Sequence, residues 1–231
     1  MEGEFYHLYN RGNSKQKIFL DDEDRERFVK LLFLHNSKKN INFRDDIVKS
    51  KIDAWDFDKG KPIISIGAWV LMPNHFHILA SIPHDSTSPK SDIGLGRKKS
   101  KISFFMQKMF TSYSKYFNKK YNRTGGLFET NFKSVTARTD EYLKYIFSYI
   151  HLNPVKLIDP KWKEDGIKNI QKTKNFLENY EWGSYEDYYN PRLKRIQEKI
   201  LSKKDFPNYF EDSNVFREEI FDWLSFGVNQ E

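Results

Sequence analysis

The pair His75-Phe76-His77 carries the most direct chemical meaning in this sequence. On an extended strand, residues i and i+2 project to one face, so both imidazoles point the same way while Phe76 turns to the opposite, core side. Two imidazoles a few ångströms apart suit a divalent metal. The bland alternative is two polar residues on the wet face of a sheet. Tyr149 is the second candidate. Positions 142, 145, 149 and 153 share a helical face offset from the stripe of Leu143, Ile146, Phe147 and Ile150, so Tyr142, Tyr145, Tyr149 and Asn153 line one side of a helix. A phenol with an ordinary pKa of about 10 is protonated at neutral pH. It becomes a useful nucleophile where a metal polarises the electrophile and a base or metal accepts its proton. Otherwise tyrosines at this spacing bury a ring and keep the hydroxyl wet.

These residues need elements to hold them. Residues 4–10 are rich in strand formers and stop at Arg11-Gly12-Asn13, which predicts a first strand and a turn. From Asp21-Asp22, Phe28, Leu31, Leu32 and His35 recur at helical spacing, giving a helix over 22–39. Residues 40–61 are polar and aperiodic, an insertion with room for a short strand. The apolar run 63–72 is broken by Pro73-Asn74 and resumes over 75–82, which reads as two strands joined by a tight turn. Residues 83–101 form a loop that ends in the basic cluster Arg97, Lys98, Lys99 and Lys101. Ile102, Phe105, Met109, Tyr113, Tyr116 and Phe117 keep one face of a second helix over 102–120. A strand at 132–138 follows, and Thr139-Asp140-Glu141 opens a third helix. That helix must end near Asn153, because a residue before proline avoids helical geometry. The order β-α-β-β-α-β-α predicts an α+β sandwich with an antiparallel sheet and helices packed on one face. Residues 159–231 add an aromatic turn, 180–185, and helical patches near 192–203 and 215–226.

Composition sets outer bounds. The chain has 231 residues, 39 Lys+Arg against 32 Asp+Glu, a net charge of +7 and no cysteine. Thiolate zinc sites, disulfide scaffolds and cysteine nucleophiles are excluded. No apolar run reaches the roughly 20 residues that span a bilayer, and the first residues lack the order of a signal peptide, so a soluble cytoplasmic protein is expected. Residues 1–158 hold 27 basic and 17 acidic residues, whereas 159–231 hold 12 and 15. The basic part, with its many aromatic rings, suits single-stranded nucleic acid. We therefore expect a basic domain over 1–158 and a mostly helical C-terminal extension over 159–231.

Longer motifs surround the candidate residues. Trp69-Val70-Leu71-Met72-Pro73-Asn74-His75-Phe76-His77, Gly126-Leu127-Phe128-Glu129-Thr130-Asn131-Phe132-Lys133 and Tyr149-Ile150-His151-Leu152-Asn153-Pro154-Val155-Lys156 occur in that order. Together they resemble the single-tyrosine HUH transposases, and within these the REP-associated tyrosine transposase branch. Tyr9-Asn10-Arg11-Gly12 and Trp182-Gly183-Ser184-Tyr185 match flanking signatures of the same family, so the resemblance spans about residues 4–190.

The resemblance implies a ferredoxin-like βαββαβ palm with the His pair on a central strand and the tyrosine on a nearby catalytic helix. It implies that His75 and His77 bind one Mg²⁺ or Mn²⁺ and that Tyr149 is the nucleophile. Related insertion-sequence enzymes place a glutamine, their third ligand, one helical turn after the tyrosine. Asn153 holds that position here, a methylene shorter and directly before Pro154. The implied activity is cleavage and rejoining of single-stranded DNA beside hairpins, REP-like or at element ends, through a 5′-phosphotyrosine, by a monomer or a homodimer. Arg11, Lys133 and Lys156 lie inside the matching motifs as candidate phosphate contacts, and Arg97, Lys98, Lys99 and Lys101 as backbone contacts that read no sequence. For each of these the bland reading is a solvated charge. His151 points elsewhere on the helix and reads as structural or DNA-facing. Two other functions stay open: a domesticated nuclease, and a non-catalytic single-stranded nucleic-acid-binding module, which would place aromatic rings on its central strands.

Overall fold

Strand β1 (Phe5–Arg11) is followed by helix α1 (Asp22–His35), and the apolar run of the sequence then folds back on itself as β2 (Ser65–Met72) and β3 (His75–Ser81). Helix α2 (Lys101–Lys120), strand β4 (Lys133–Ala137) and helix α3 (Asp140–Leu152) complete the core order. The computed structural model describes residues 4–83, 101–207 and 212–226. Its sheet has the order β2-β3-β1-β4 with every neighbour antiparallel, the ferredoxin-like arrangement expected. Among the described residues, no helix is long and apolar enough to cross a membrane.

Helices cover both faces of the sheet, not one. Leu8, Trp69, Leu71, Phe76 and Ile78 face α1 and α2, where they join Phe28, Leu32, Phe105 and Met109. Phe5, Ala68, Val70 and Leu79 face the other way, into a second core with α3 and residues from 162 onward. The physical reason is visible in β2, all eight of whose residues are buried. An unbroken apolar strand without polar alternation is one that is covered on both sides. A bulge at Gly67 resets the alternation, so that Ile66 faces one core and Ala68 the other.

The sequence expectations need four further corrections. α1 ends at His35 rather than 39, because the Asn36 side chain leaves the helix axis and accepts the Ile63 and Ile64 N–H groups at 2.8 and 3.0 Å. The insertion folds as a helical segment, Phe43–Lys49, and a turn, Ala54–Asp56, without a strand. α3 ends at Leu152, beside Asn153 as expected, but Asn153 itself keeps helical angles (φ −55°, ψ −37°) despite preceding Pro154, since the chain passes into a tighter turn, Asn153–Leu157, whose first positions need no N–H donor. Finally, the patch at 192–203 breaks into short turns, whereas α4 (Trp162–Asp165), α5 (Ile170–Glu178) and α6 (Tyr185–Tyr189) precede it and α7 (Ser213–Phe226) follows.

The C-terminal residues run along the outer edge of β2. Trp182 and Ser184 exchange backbone hydrogen bonds with Leu71 and Trp69 at 2.8 and 2.9 Å, and Tyr180 and Tyr188 donate their hydroxyls to the Leu71 and Gly67 carbonyls. An otherwise open strand edge is thereby satisfied. Ser184 also accepts the Trp69 N–H, at 3.0 Å, and pairs with His151 Nε2 at 2.9 Å. His151 donates Nδ1–H to the Phe147 carbonyl, and burial pushes its pKa down to about 3. It is thus a structural, fully paired histidine.

Candidate active site

The turn Met72-Pro73-Asn74 sets the height of His75. Gly12, at the end of β1, donates to the Asn74 carbonyl, and Ile18 and Phe19 both donate to that of Pro73. A Cβ on Gly12 would sit 2.2 Å from the Gln16 carbonyl, so only glycine allows the chain this approach. The motif of residues 126–133 buttresses the same corner: Glu129 donates its N–H to the Arg11 carbonyl, and its carboxylate takes the Arg11 guanidinium at 2.5 Å. Holding the geometry of the hairpin tip is therefore one job of Arg11, which the sequence offered as a phosphate contact.

His75 and His77 share the α3 face of β3, with ring centroids 5.1 Å apart, while Phe76 is buried on the other side against Phe28 and Phe110. Tyr149 approaches from α3, its ring 5.3 Å from that of His77 and edge-on. The tyrosines of α3 stack in sequence, Tyr142 on Tyr145 and Tyr145 on Tyr149, each at 6.0 Å. Because Asn153 stays helical, it remains one turn beyond Tyr149, fully buried, with Oδ1 3.3 Å from His75 Nε2. The structure thus brings together His75, His77, Tyr149 and Asn153.

A third histidine, which the sequence reading passed over, belongs to the cluster. His7 on β1 places Nε2 2.9 Å from His77 Nδ1, and both rings are buried, 8% and 6% exposed. A signal existed: His7 and Tyr9 alternate toward one face of a strand, as His75 and His77 do. Only the β1–β3 register, which sets Tyr9 opposite His77, shows that the two faces are the same.

Burial holds these rings neutral. It lowers His7 to about 4, lowers His75 to about 4 against an opposing Asn153 contact and with the Lys156 and Arg11 charges adding, and takes His77 well below its ordinary value with His7 and His75 adding. Burial likewise raises the Tyr149 phenol above its usual value, opposed by the Asn153 amide. Two ammonium groups lie against the Tyr149 ring, Lys163 at 4.0 Å and Lys156 at 5.8 Å from its centroid.

The donor atoms fit a cation. Asn74 donates Nδ2–H to the Lys15 carbonyl, so its Oδ1 faces His75 Nδ1, at 2.7 Å, and accepts that proton. The neutral His75 ring then presents a lone pair at Nε2 toward Asn153. The Asn153 amide lies 3.3 Å from that nitrogen and, by which end it turns toward it, offers His75 either an N–H donor or a carbonyl oxygen able to share an ion with it. His77 Nε2 and Asn153 Nδ2 are buried without a partner among the described residues. An orphaned imidazole nitrogen whose other nitrogen is tied to a neighbour is the usual preparation of a metal-binding histidine. Among the described residues no three His, Asp or Glu side chains converge on one point. His7 is engaged by His77, and Asn153 is the amide side chain that stands beside His75.

The remaining predicted contacts scatter. Lys133 opens β4 opposite Tyr9, and Tyr9 lies opposite His77, so by register Lys133 shares the face of the His pair, where it is exposed. Lys156 borders Tyr149 from the turn after α3. Lys101 opens α2, in the layer on the other side of the sheet from Tyr149. Arg97, Lys98 and Lys99 lie outside the described residues.

No protein-family model matches the chain. No curated protein matches it either. Seven solved chains do. One is a REP-associated tyrosine transposase bound to a REP hairpin, with a TM-score of 0.46, 14% sequence identity and 84% of each chain covered. A likeness of that degree has no bearing on the roles of individual residues, which rest on the geometry above.

Proposed function

We propose that this protein is a metal-dependent transposase or endonuclease of the HUH type, acting in the cytoplasm on single-stranded DNA beside hairpins. The observation that carries the reading is the convergence of His75, His77 and Tyr149, from β3 and from a helix more than seventy residues later, in one half-buried site. That convergence is what the sequence motifs lead one to expect of a tyrosine nucleophile beside a His pair.

His75 Nε2, His77 Nε2 and Asn153 Oδ1 would hold one Mg²⁺ or Mn²⁺. When bound, such an ion supplies a Lewis acid for a non-bridging phosphate oxygen. Tyr149 contributes the nucleophile. Its oxygen forms a bond to phosphorus, the bond from phosphorus to the 3′ oxygen breaks, the phenol proton departs and the 3′ oxygen gains one. The products are a 5′-phosphotyrosine and a free 3′-hydroxyl, and attack by another 3′-hydroxyl reverses the exchange to rejoin strands. Burial raises the Tyr149 phenol above its ordinary value, so the resting nucleophile is the protonated phenol. Lys133 and Lys156 would contact phosphates, and Arg11, already paired with Glu129, would do so from the rim. In this reading 1–158 is the catalytic unit and 159–231 an extension that covers its sheet.

The binding-module alternative is less well supported. Such a module needs aromatic rings open on the central strands, whereas Phe5 and Phe76 on β1 and β3 are buried, Tyr6 and Tyr9 on β1 are partly covered, and helices lie on both faces. The test is to incubate the protein with a labelled single-stranded hairpin from DNA beside its gene and Mg²⁺ or Mn²⁺, and to look for a covalent adduct on a denaturing gel. Wild type should form one, and Tyr149→Phe, His75→Ala and a chelated sample should not. Binding without an adduct, across several hairpins and both metals, would overturn the catalytic reading.

A further inference from the structure

Segment 159–231 was expected as an acidic-leaning extension, yet it delivers a cation to Tyr149. Lys163, on α4, sets its ammonium nitrogen 4.0 Å from the Tyr149 ring centroid, closer than Lys156 at 5.8 Å. Neither lysine forms an ion pair or a side-chain hydrogen bond among the described residues. Trp162, buried in the second core, anchors the short helix from which Lys163 projects, so the ammonium is delivered by a fixed element.

Two unneutralised ammonium groups beside one ring repel each other. Burial, with the Lys156 charge adding and Glu164 opposing, lowers Lys163 to about 8. The charges that face it are Lys156 from the turn after α3 and Glu164 from α4 itself, with Tyr149 beside it on α3. Among the described residues no carboxylate pairs with either lysine, so the site holds a surplus of positive charge where the nucleophile sits. Such a surplus is tolerated because a bound anion removes it.

We propose that Lys163 is a substrate-contacting residue: with Lys156 it forms a two-lysine clamp that receives the phosphodiester attacked by Tyr149. This rests on the catalytic reading above and assigns part of the active site to the C-terminal extension. The clamp neutralises charge on the phosphate oxygens and takes no proton, so arginine should replace lysine.

The experiment uses the full chain. In a Tyr149→Phe background, affinity for a labelled single-stranded DNA oligonucleotide is measured against salt for Lys163, Lys163→Met and Lys163→Arg, with Lys168→Met, an exposed lysine of the same segment, as control. Loss of one phosphate contact should lower the slope of log affinity against log salt by about 0.7. With Tyr149 restored, Lys163→Met should slow single-turnover adduct formation about 10²-fold, as loss of one stabilising donor does, and Lys163→Arg should remain within about tenfold of wild type. Melting curves confirm folding of each variant. An unchanged slope together with a rate for Lys163→Met like that of wild type overturns the clamp while leaving the catalytic reading intact. If wild type forms no adduct, the catalytic reading fails, and the slope alone decides whether Lys163 meets a phosphate.

Discussion

Replacing His7 by phenylalanine should weaken the site without touching any proposed ligand. The His7–His77 contact, 2.9 Å between two buried nitrogens, contains a single shared proton, because burial keeps both rings neutral. If His77 donates Nδ1–H to His7, its Nε2 lone pair is fixed toward the cluster. Phenylalanine keeps the ring packing against Tyr9 and Tyr149 but offers no acceptor. His77 is then free to move its proton to Nε2, and whichever nitrogen is protonated lacks a partner. Losing such an outer partner typically costs 10- to 100-fold in metal affinity, or about 1.4 to 2.7 kcal/mol. The range agrees with the roughly 1–3 kcal/mol of leaving a buried polar group unpaired, as it should if one bond sets both. Mn²⁺ titration of wild type, His7→Phe and His7→Gln measures the first quantity, and the ¹⁵N shifts of His77 report its tautomer directly. Gln can accept the proton and should recover part of the affinity. Mn²⁺ affinity of His7→Phe within threefold of wild type, with an unchanged His77 tautomer, would refute the reasoning.

Two further outcomes concern the scaffold. A Cβ on Gly67 would meet the Phe206 ring at 2.7 Å, so Gly67→Ala should cost about 1–3 kcal/mol in urea unfolding as Phe206 and the chain around Ser202, whose N–H is bonded to the Ile66 carbonyl, are displaced; a loss below about 0.5 kcal/mol would mean that this segment yields freely. Stability should fall with acid: His7, His35 and His75 are lowered to about 4 and His151 to about 3, so below pH 6.5 the unfolded chain binds protons that the folded chain refuses. Each contributes a slope of up to about 1.4 kcal/mol per pH unit between pH 6.5 and its folded value. Asp187 opposes this, since burial raises it to about 6 and its protonation favours the folded form as pH drops through that value. With His77, also held well below its ordinary value, five histidines outweigh the raised Asp187 and Glu186, and urea midpoints that stayed level from pH 7 to pH 4.5 would contradict the burial assigned to them.

Much of the site was legible because it is periodic. The His-x-His spacing fixed a shared face, the i, i+4 spacing fixed Tyr149 and Asn153 on one side of a helix, and Thr139 capped that helix as its type suggests, accepting the Tyr142 N–H. These are consequences of strand and helix geometry and need no partner. Register and packing are different, because they depend on which distant segments meet. That His7 completes the cluster follows only from β1 lying beside β3, and that Lys163 reaches Tyr149 only from α4 docking through Trp162. The covering of the second sheet face likewise came from α3 packing across β2 and β3 with residues from 162 onward, although the unbroken burial of β2 was written in its apolar run. Residue order alone determined which groups share a face; the tertiary structure decided which faces meet, since that depends on long-range burial that no local period encodes.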